Sequence, residues 1–117
     1  MGADLLATIL YQRLDLLDYA ESLLEKIKMS GNDSEAEKEL VHIVNRLRNL
    51  RGRIESVIPV IKDKDAETLI SYYINISNPK EIEILTCIKN LKIGSERFRS
   101  EIENDIEKLM ALQNNLG

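Results

Sequence analysis

The sequence predicts an all-α fold, an up-and-down bundle with long helices at about 4–29, 34–58 and 79–114 and a short helix at about 65–76. Apolar residues recur at alternating spacings of three and four through each long segment, which is the pattern of a helix with one buried face. Only five glycines and two prolines occur in 117 residues, too few for a fold with many strands and turns. The length and the 44% of hydrophobic residues suit one modest core, so residues 1–117 are expected to form a single bundle domain.

The first two helices are expected to form an antiparallel hairpin. A stop signal at residues 30–33 contains Gly31, which suits the left-handed conformation that follows many helices. The spacing from Ser34 to Glu37 is that of a capping box, so the second helix should begin near Ser34. Because the connection is short, the two helices should lie side by side and run in opposite directions.

The end of the second helix depends on Pro59, which lies within the apolar repeat. Proline lacks the backbone donor and clashes with the preceding turn, so the helix should kink or end near Ile58, and we favour an end. The alternative is that Gly52 ends this helix and Ser56 caps a new one, but the apolar phase continues across Gly52. The repeat consists of Ile43, Leu47, Leu50, Ile54, Val57 and Ile61.

The short helix is the least regular element. Residues 62–65 are expected to lead into it, and Ser77 to Pro79 to close it. Residues 72–76 have strand-like composition, and an apolar run of this length is ambiguous by pattern alone. Helical spacing of the apolar residues favours a helix.

The long helix is predicted to begin at Pro79, with Asn78 as its cap and Glu81 completing a capping box. Ser95, beside Gly94, interrupts the apolar stripe and should mark either a close approach by another helix or a local bend. The second interruption is Asp105, which either turns toward solvent or is a polar residue that sets the helix register. We favour the outward orientation because a straight helix drifts by about 20° per heptad.

The apolar stripes predict self-association. They are broad, and a helix of about 54 Å, at 1.5 Å per residue, needs partners along its whole length. We therefore expect a homodimer formed through the long helix, with a helix of a protein partner as the other candidate occupant. The expected partner-binding residues are Ile84, Ile88, Leu91, Phe98, Ile102 and Leu109.

The second helix carries the most unusual charge pattern in the chain. Between Leu40 and Ile54 it has four arginines and no acidic residue, although acids outnumber bases overall. On a helix these arginines flank the apolar stripe, where they could pair with acids of the first helix (Asp15, Asp18, Glu21) and of the long helix. The alternative is that they contact an anion or an acidic partner, since arginine suits carboxylate and phosphate recognition. The four are Arg46, Arg48, Arg51 and Arg53.

No residue pattern points to catalysis. His42 is the single histidine and Cys87 the single cysteine, which removes most zinc, di-iron and nucleophile constellations. No glycine-rich phosphate loop occurs either. We therefore expect no enzyme activity, no metal, no cofactor and no small-molecule substrate.

We expect this chain to be located in the cytoplasm. No apolar run is long enough for a membrane span, no signal-peptide pattern opens the chain, and one cysteine suits a reducing compartment. The formal charge of −4 disfavours nucleic acid as a partner of the whole surface.

These observations together favour a non-enzymatic helical protein–protein interaction module. An adaptor or a small export-type chaperone would bind a partner helix through apolar grooves. One alternative is a nucleic-acid-associated helical protein that uses the arginine cluster, with binding that weakens steeply with salt. Another alternative is a small all-helical enzyme with an arginine-lined pocket.

Overall fold

The computed structural model describes residues 2–31, 33–61 and 64–116, with side chains up to Asn114. The described residues contain helices and no strand, which confirms the predicted all-α class. The elements in chain order are α1 (Gly2–Ser30), α2 (Ser34–Val57), a 3-10 turn (Ile58–Val60), α3 (Ala66–Tyr72), a π turn (Tyr73–Ser77), α4 (Asn78–Asn90) and α5 (Glu96–Leu116).

Cross-helix pairs define an up-and-down arrangement in a body of 46 × 23 × 19 Å. Tyr19 donates to Glu39 and Lys26 Nζ lies 3.6 Å from Asp33 Oδ2, so α2 runs antiparallel to α1. Lys80 Nζ lies 2.6 Å from Asp18 Oδ1, which places α4 alongside α1. Helix α5 then returns along α4, because Lys89 Nζ lies 3.1 Å from Glu103 Oε1.

The α1–α2 hairpin matches the prediction closely. Gly31 takes a positive φ of 78° after α1, and α2 begins at Ser34. The cap is Asp33 instead of the Ser34 expected from the capping-box spacing, because Asp33 Oδ1 accepts a bond of 3.1 Å from the backbone N–H of Ala36. The predicted connections at Asn32 and at residues 62–63 lie outside the described residues.

The predicted end of the second helix is confirmed. Helix α2 continues through Gly52, ends at Val57 and passes into the 3-10 turn that contains Pro59. The unbroken apolar phase across Gly52 therefore indicated the structure correctly.

The capping role predicted for Asn78 was wrong, although α4 does begin at this residue. Helix α3, the π turn and α4 follow one another without a break, and Asn78 is buried with helical backbone angles and no capping role. The π turn makes this possible because the Asn78 N–H donates five residues back, to the Tyr73 carbonyl. With the same spacing of five residues, Pro79 would pair with the Ile74 carbonyl, but proline has no N–H to donate. The side chain of Gln113 donates to that carbonyl instead.

The single long helix predicted at 79–114 was also wrong, because the chain turns at residues 91–95. Lys92 and Gly94 take positive φ values of 56° and 82°, and Ser95 Oγ accepts from the Phe98 N–H at 3.1 Å to cap α5. The turn lets the two halves of the stripe fold onto one core. The broad apolar stripe of this segment is therefore covered in part by packing of α4 against α5 within the same chain.

The core is built mainly from leucine and isoleucine. Five of the six residues predicted to bind a partner are buried in it, with exposed fractions of 7% or less, while Leu91 in the turn remains 38% exposed. Burial withdraws these five from any outside partner in this conformation. They are Ile84, Ile88, Phe98, Ile102 and Leu109.

Candidate functional site

Arg51 of α2 lies at the centre of a buried network of charges. Its NH1 is 2.9 Å from Glu81 Oε2 on α4, and its NH2 is 2.7 Å from Asp105 Oδ1 on α5. The three side chains are each at least nine-tenths buried. One guanidinium thus joins two carboxylates from two different helices.

Arg13 of α1 is fully buried on the other side of Glu81. Its Nε donates to Glu81 Oε1 at 3.3 Å, its NH2 lies 3.1 Å from Oε2, and its NH1 donates to Ser77 Oγ at 2.9 Å. The guanidinium carbon also lies 5.0 Å from the centre of the Tyr73 ring, within range of a cation–π contact. Glu81 therefore accepts from two arginines at once.

Arg48 of α2 completes the network at its outer end. Two of its nitrogens donate hydrogen bonds to Asp105, Nε to Oδ1 at 3.1 Å and NH2 to Oδ2 at 2.6 Å. Its NH1 lies 3.6 Å from Glu101 Oε2. The hydrogen bonds to Asp105 raise the pKa of Arg48 above its ordinary value. This bidentate geometry is the one that arginine makes best with a carboxylate.

We name Arg13, Arg48, Arg51, Glu81 and Asp105 the ionic layer. The α1–α2 hairpin supplies all three of its arginines and the α4–α5 hairpin both carboxylates. Buried ion pairs add little net stability compared with apolar residues of the same volume, but removing one partner leaves an uncompensated charge. The layer therefore connects the two hairpins through ion pairs that would be costly to break.

The arginine cluster divides into an inner and an outer pair. Arg48 and Arg51 belong to the ionic layer, whereas Arg46 and Arg53 are exposed. The expected pairing with acids of the long helix segment is thus found for the inner pair. Two of the three acids expected from the first helix, Asp18 and Glu21, instead lie 2.6 and 3.9 Å from Lys80.

Sequence reasoning missed three members of the ionic layer. The outward orientation expected for Asp105 was wrong, since only 3% of this residue is exposed, and Glu81 forms ion pairs instead of a capping box. Arg13 was not singled out at all. The signal for Arg13 was its position four residues after Ile9 and three before Leu16, within the apolar face of α1.

The π turn places further polar groups beside the layer. Tyr73 and Asn78 are fully buried, and among the described residues the Tyr73 hydroxyl and the Asn78 side-chain amide have no hydrogen-bond partner. Burial raises the pKa of the Tyr73 phenol above its ordinary 10.0, while the Arg13 guanidinium acts in the opposite direction. Turns of this kind are frequent at functional positions of helices.

A groove on the surface runs between α1 and α3, with a volume of about 340 Å³ and walls that are mostly apolar. Tyr11 stands at its mouth and is 71% exposed. Leu14, Leu69 and Tyr72 are half-buried along its walls. The groove is lined by Ala7, Leu10, Tyr11, Leu14, Thr68, Leu69 and Tyr72.

The remaining reactive side chains do not converge. His42 is exposed, and Cys87 is half-buried in a polar groove between α1 and α4. Within residues 2–31, 33–61 and 64–116, no three His, Cys, Asp or Glu side chains are arranged to hold a metal ion. Every helix in the part of the chain that the structure describes is too short or too charged to cross a bilayer.

No family model matches this chain. Neither a curated protein nor a solved structure matches it either. The proposals below therefore rest on the chemistry of the described residues.

Proposed function

We propose that this chain is a non-enzymatic helical interaction module that binds an amphipathic helix of a partner protein in the groove between α1 and α3. The observation that carries the proposal is the groove itself, an apolar channel between two helices with a tyrosine exposed at its mouth. Tyrosine is enriched among the residues that dominate binding energy at protein interfaces.

The dimensions of the groove suit a short helical segment. The α1 wall runs from Ala7 to Leu14, so it spans about 10 Å at 1.5 Å per residue. An amphipathic helix presents apolar anchors at positions i, i+3 or i+4 and i+7, which cover the same length. Two to three turns of a partner helix would therefore fill the channel.

This proposal moves the binding surface away from the residues that the sequence indicated. The stripe of α4 and α5 is covered by the chain's own helices, and the groove between α1 and α3 is open. Self-association and a cytoplasmic setting stay predictions. An adaptor or a small export-type chaperone is the kind of protein in which such a module would serve.

The two alternative functions gain no support from the geometry. A nucleic-acid surface would keep only Arg46 and Arg53, because Arg48 and Arg51 hold carboxylates of the same chain. An arginine-lined pocket would require the same ion pairs to open.

A synthetic helix tests the proposal directly. The probe is a fluorescein-labelled peptide of about 18 residues, long enough to form helix on binding, with leucines at helical spacing and uncharged glutamine and alanine elsewhere. Fluorescence anisotropy should show binding to the wild-type chain. Tyr11→Ser should weaken it about tenfold or more, as expected for a central interface tyrosine.

The matched control is Tyr19→Ser, which removes an exposed tyrosine of the same helix outside the groove. This control should bind the peptide as the wild type does. Equal binding by the Tyr11→Ser and wild-type chains would contradict the proposal. Circular dichroism of both variants checks that neither change unfolds the bundle.

A further inference from the structure

We propose that the partner helix carries lysine or arginine residues along the edges of its apolar face. This inference rests on the proposed function and concerns the chemistry of the partner in the same groove. It follows from the charges that surround the groove, which are predominantly acidic and exposed.

The acidic residues lie one helical turn from residues that line the groove. Asp4 precedes Ala7 by three positions, and residues three or four apart on a helix are neighbours on its surface. Asp15 follows Tyr11 by four positions. All acids of the two walls are exposed: Asp4, Asp15, Asp65 and Glu67.

Few positive charges balance these acids. Within residues 2–15 and 64–72 the bases are Arg13 and Lys64. Arg13 is fully buried in the ionic layer, so Lys64 is the one exposed base of the two described walls. We name the exposed acids Asp4, Asp15 and Asp65 the acidic rim. Asp18, farther along α1, pairs with Lys80 and is not part of it.

Charge complementarity favours a basic partner helix over a second copy of this chain as the occupant of the groove. A two-fold dimer through the groove would bring the same acidic rim of each copy against the other. Like charges facing each other across an interface oppose association. A helix with basic edges instead places its apolar anchors in the channel and its cations beside Asp4, Asp15 and Asp65.

The experiment compares three peptides with the same apolar face and with lysine, glutamine or glutamate at its edges. At about 50 mM salt the lysine peptide should bind the wild-type chain at least about fivefold more tightly than the glutamine peptide, and the glutamate peptide most weakly. At about 500 mM salt, where charges are screened over a few ångströms, the three affinities should converge to within about twofold.

A triple variant tests whether the rim is responsible. Asp4→Asn, Asp15→Asn and Asp65→Asn together should remove most of the lysine preference and leave binding of the glutamine peptide unchanged. The matched control changes three exposed acids elsewhere, Glu25→Gln, Glu96→Gln and Glu107→Gln, and should keep the preference.

The outcomes distinguish this inference from the function on which it rests. Equal affinity for all three peptides, with sensitivity to Tyr11→Ser, would overturn the basic partner and leave the helix-binding function intact. Binding of the lysine peptide that ignores Tyr11→Ser would overturn both, because it would reflect the acidic surface as a whole. Light scattering at twice the 13.4 kDa chain mass, abolished by Tyr11→Ser, would assign the groove to a second copy and overturn the basic partner.

Discussion

Arg51 and Glu81 form an ion pair of 2.9 Å inside the bundle, where the Glu81 side chain is fully buried and 7% of the Arg51 side chain is exposed. The same arginine also reaches Asp105 at 2.7 Å, so it joins three helices. Charge in such surroundings is tolerated because each group is compensated by its neighbours. The integrity of the bundle should therefore depend on this one side chain more than on any exposed arginine.

Replacement of Arg51 by methionine should strongly destabilise the fold. The change removes one hydrogen-bond donor from Asp105 and one from Glu81, which keep Arg48 and Arg13 as partners, and each lost bond to a buried charged group costs about 1.5–3 kcal/mol. Arg46→Met is the matched control, five positions earlier on the same helix and exposed, and should lie within about 0.5 kcal/mol of the wild type. Urea denaturation measures both, and similar costs for the two variants would contradict the role of the ionic layer.

The turn between α4 and α5 should not tolerate a side chain at position 94. Gly94 has a φ of 82°, and an added Cβ would lie 2.5 Å from Cδ2 of the Phe98 ring. Gly31 has a φ of 78° but open space around it. Gly31→Ala should cost about 1–2 kcal/mol from backbone conformation alone, and Gly94→Ala should cost more. Equal free energies of unfolding for the two variants would show that the contact with Phe98 is unimportant.

The bond from Gln113 to the Ile74 carbonyl should matter because Pro79 supplies no donor there. Gln113→Ala should cost about 1 kcal/mol, the usual net value of an internal hydrogen bond. In a Pro79→Ala background the new backbone N–H can replace the side-chain donor, so the same change should cost less. A double-mutant cycle by urea denaturation measures the difference, and a cost that is the same in both backgrounds would refute the link.

Tyr73 should make the fold sensitive to alkaline pH. Burial raises its pKa in the folded state, so the native chain keeps the phenol proton while the unfolded chain releases it above about pH 10. Stability from this group is thus present below the unfolded pKa and is lost as the pH rises toward the folded pKa.

Tyr73→Phe isolates that effect. The variant should be within about 0.5 kcal/mol of the wild type at pH 7, since the hydroxyl has no partner among the described residues, and should lose less stability between pH 9 and 11. Parallel alkaline profiles for the two chains would contradict the assignment. Tyr11→Phe, which changes a tyrosine that is 71% exposed, serves as the control.

The fold was largely predictable because local signals dictate it. The apolar phase of α2 ran unbroken to Pro59, and the stop at Gly31 placed the first hairpin correctly. The predictions for the later helices failed at Asn78-Pro79 and at Gly94-Ser95, where the local sequence is compatible with more than one structure. Asn78 and Pro79 resemble a helix start, but the preceding π turn joins α3 to α4 without a break. This continuity depends on a distant donor, the side chain of Gln113.

The ionic layer was only half predictable. The arginine cluster stood out because no acid interrupts it, but its partners lie 30 to 57 positions away and are chosen by packing. Asp105 lies in the apolar stripe, which indicated burial, but the drift of a straight helix against a seven-residue repeat favoured an outward orientation. The groove could not be foreseen at all, since it forms only where α3 packs against α1.

A nuclear magnetic resonance titration of the isotope-labelled chain tests most directly whether the groove between α1 and α3 binds a helix. Addition of the uncharged leucine peptide should shift the backbone amide signals of Tyr11, Leu14, Thr68 and Leu69 and leave those of α5 in place. Shifts confined to α5 or to the turn at residues 91–95, or no shifts at saturating peptide, would contradict helix binding in the groove.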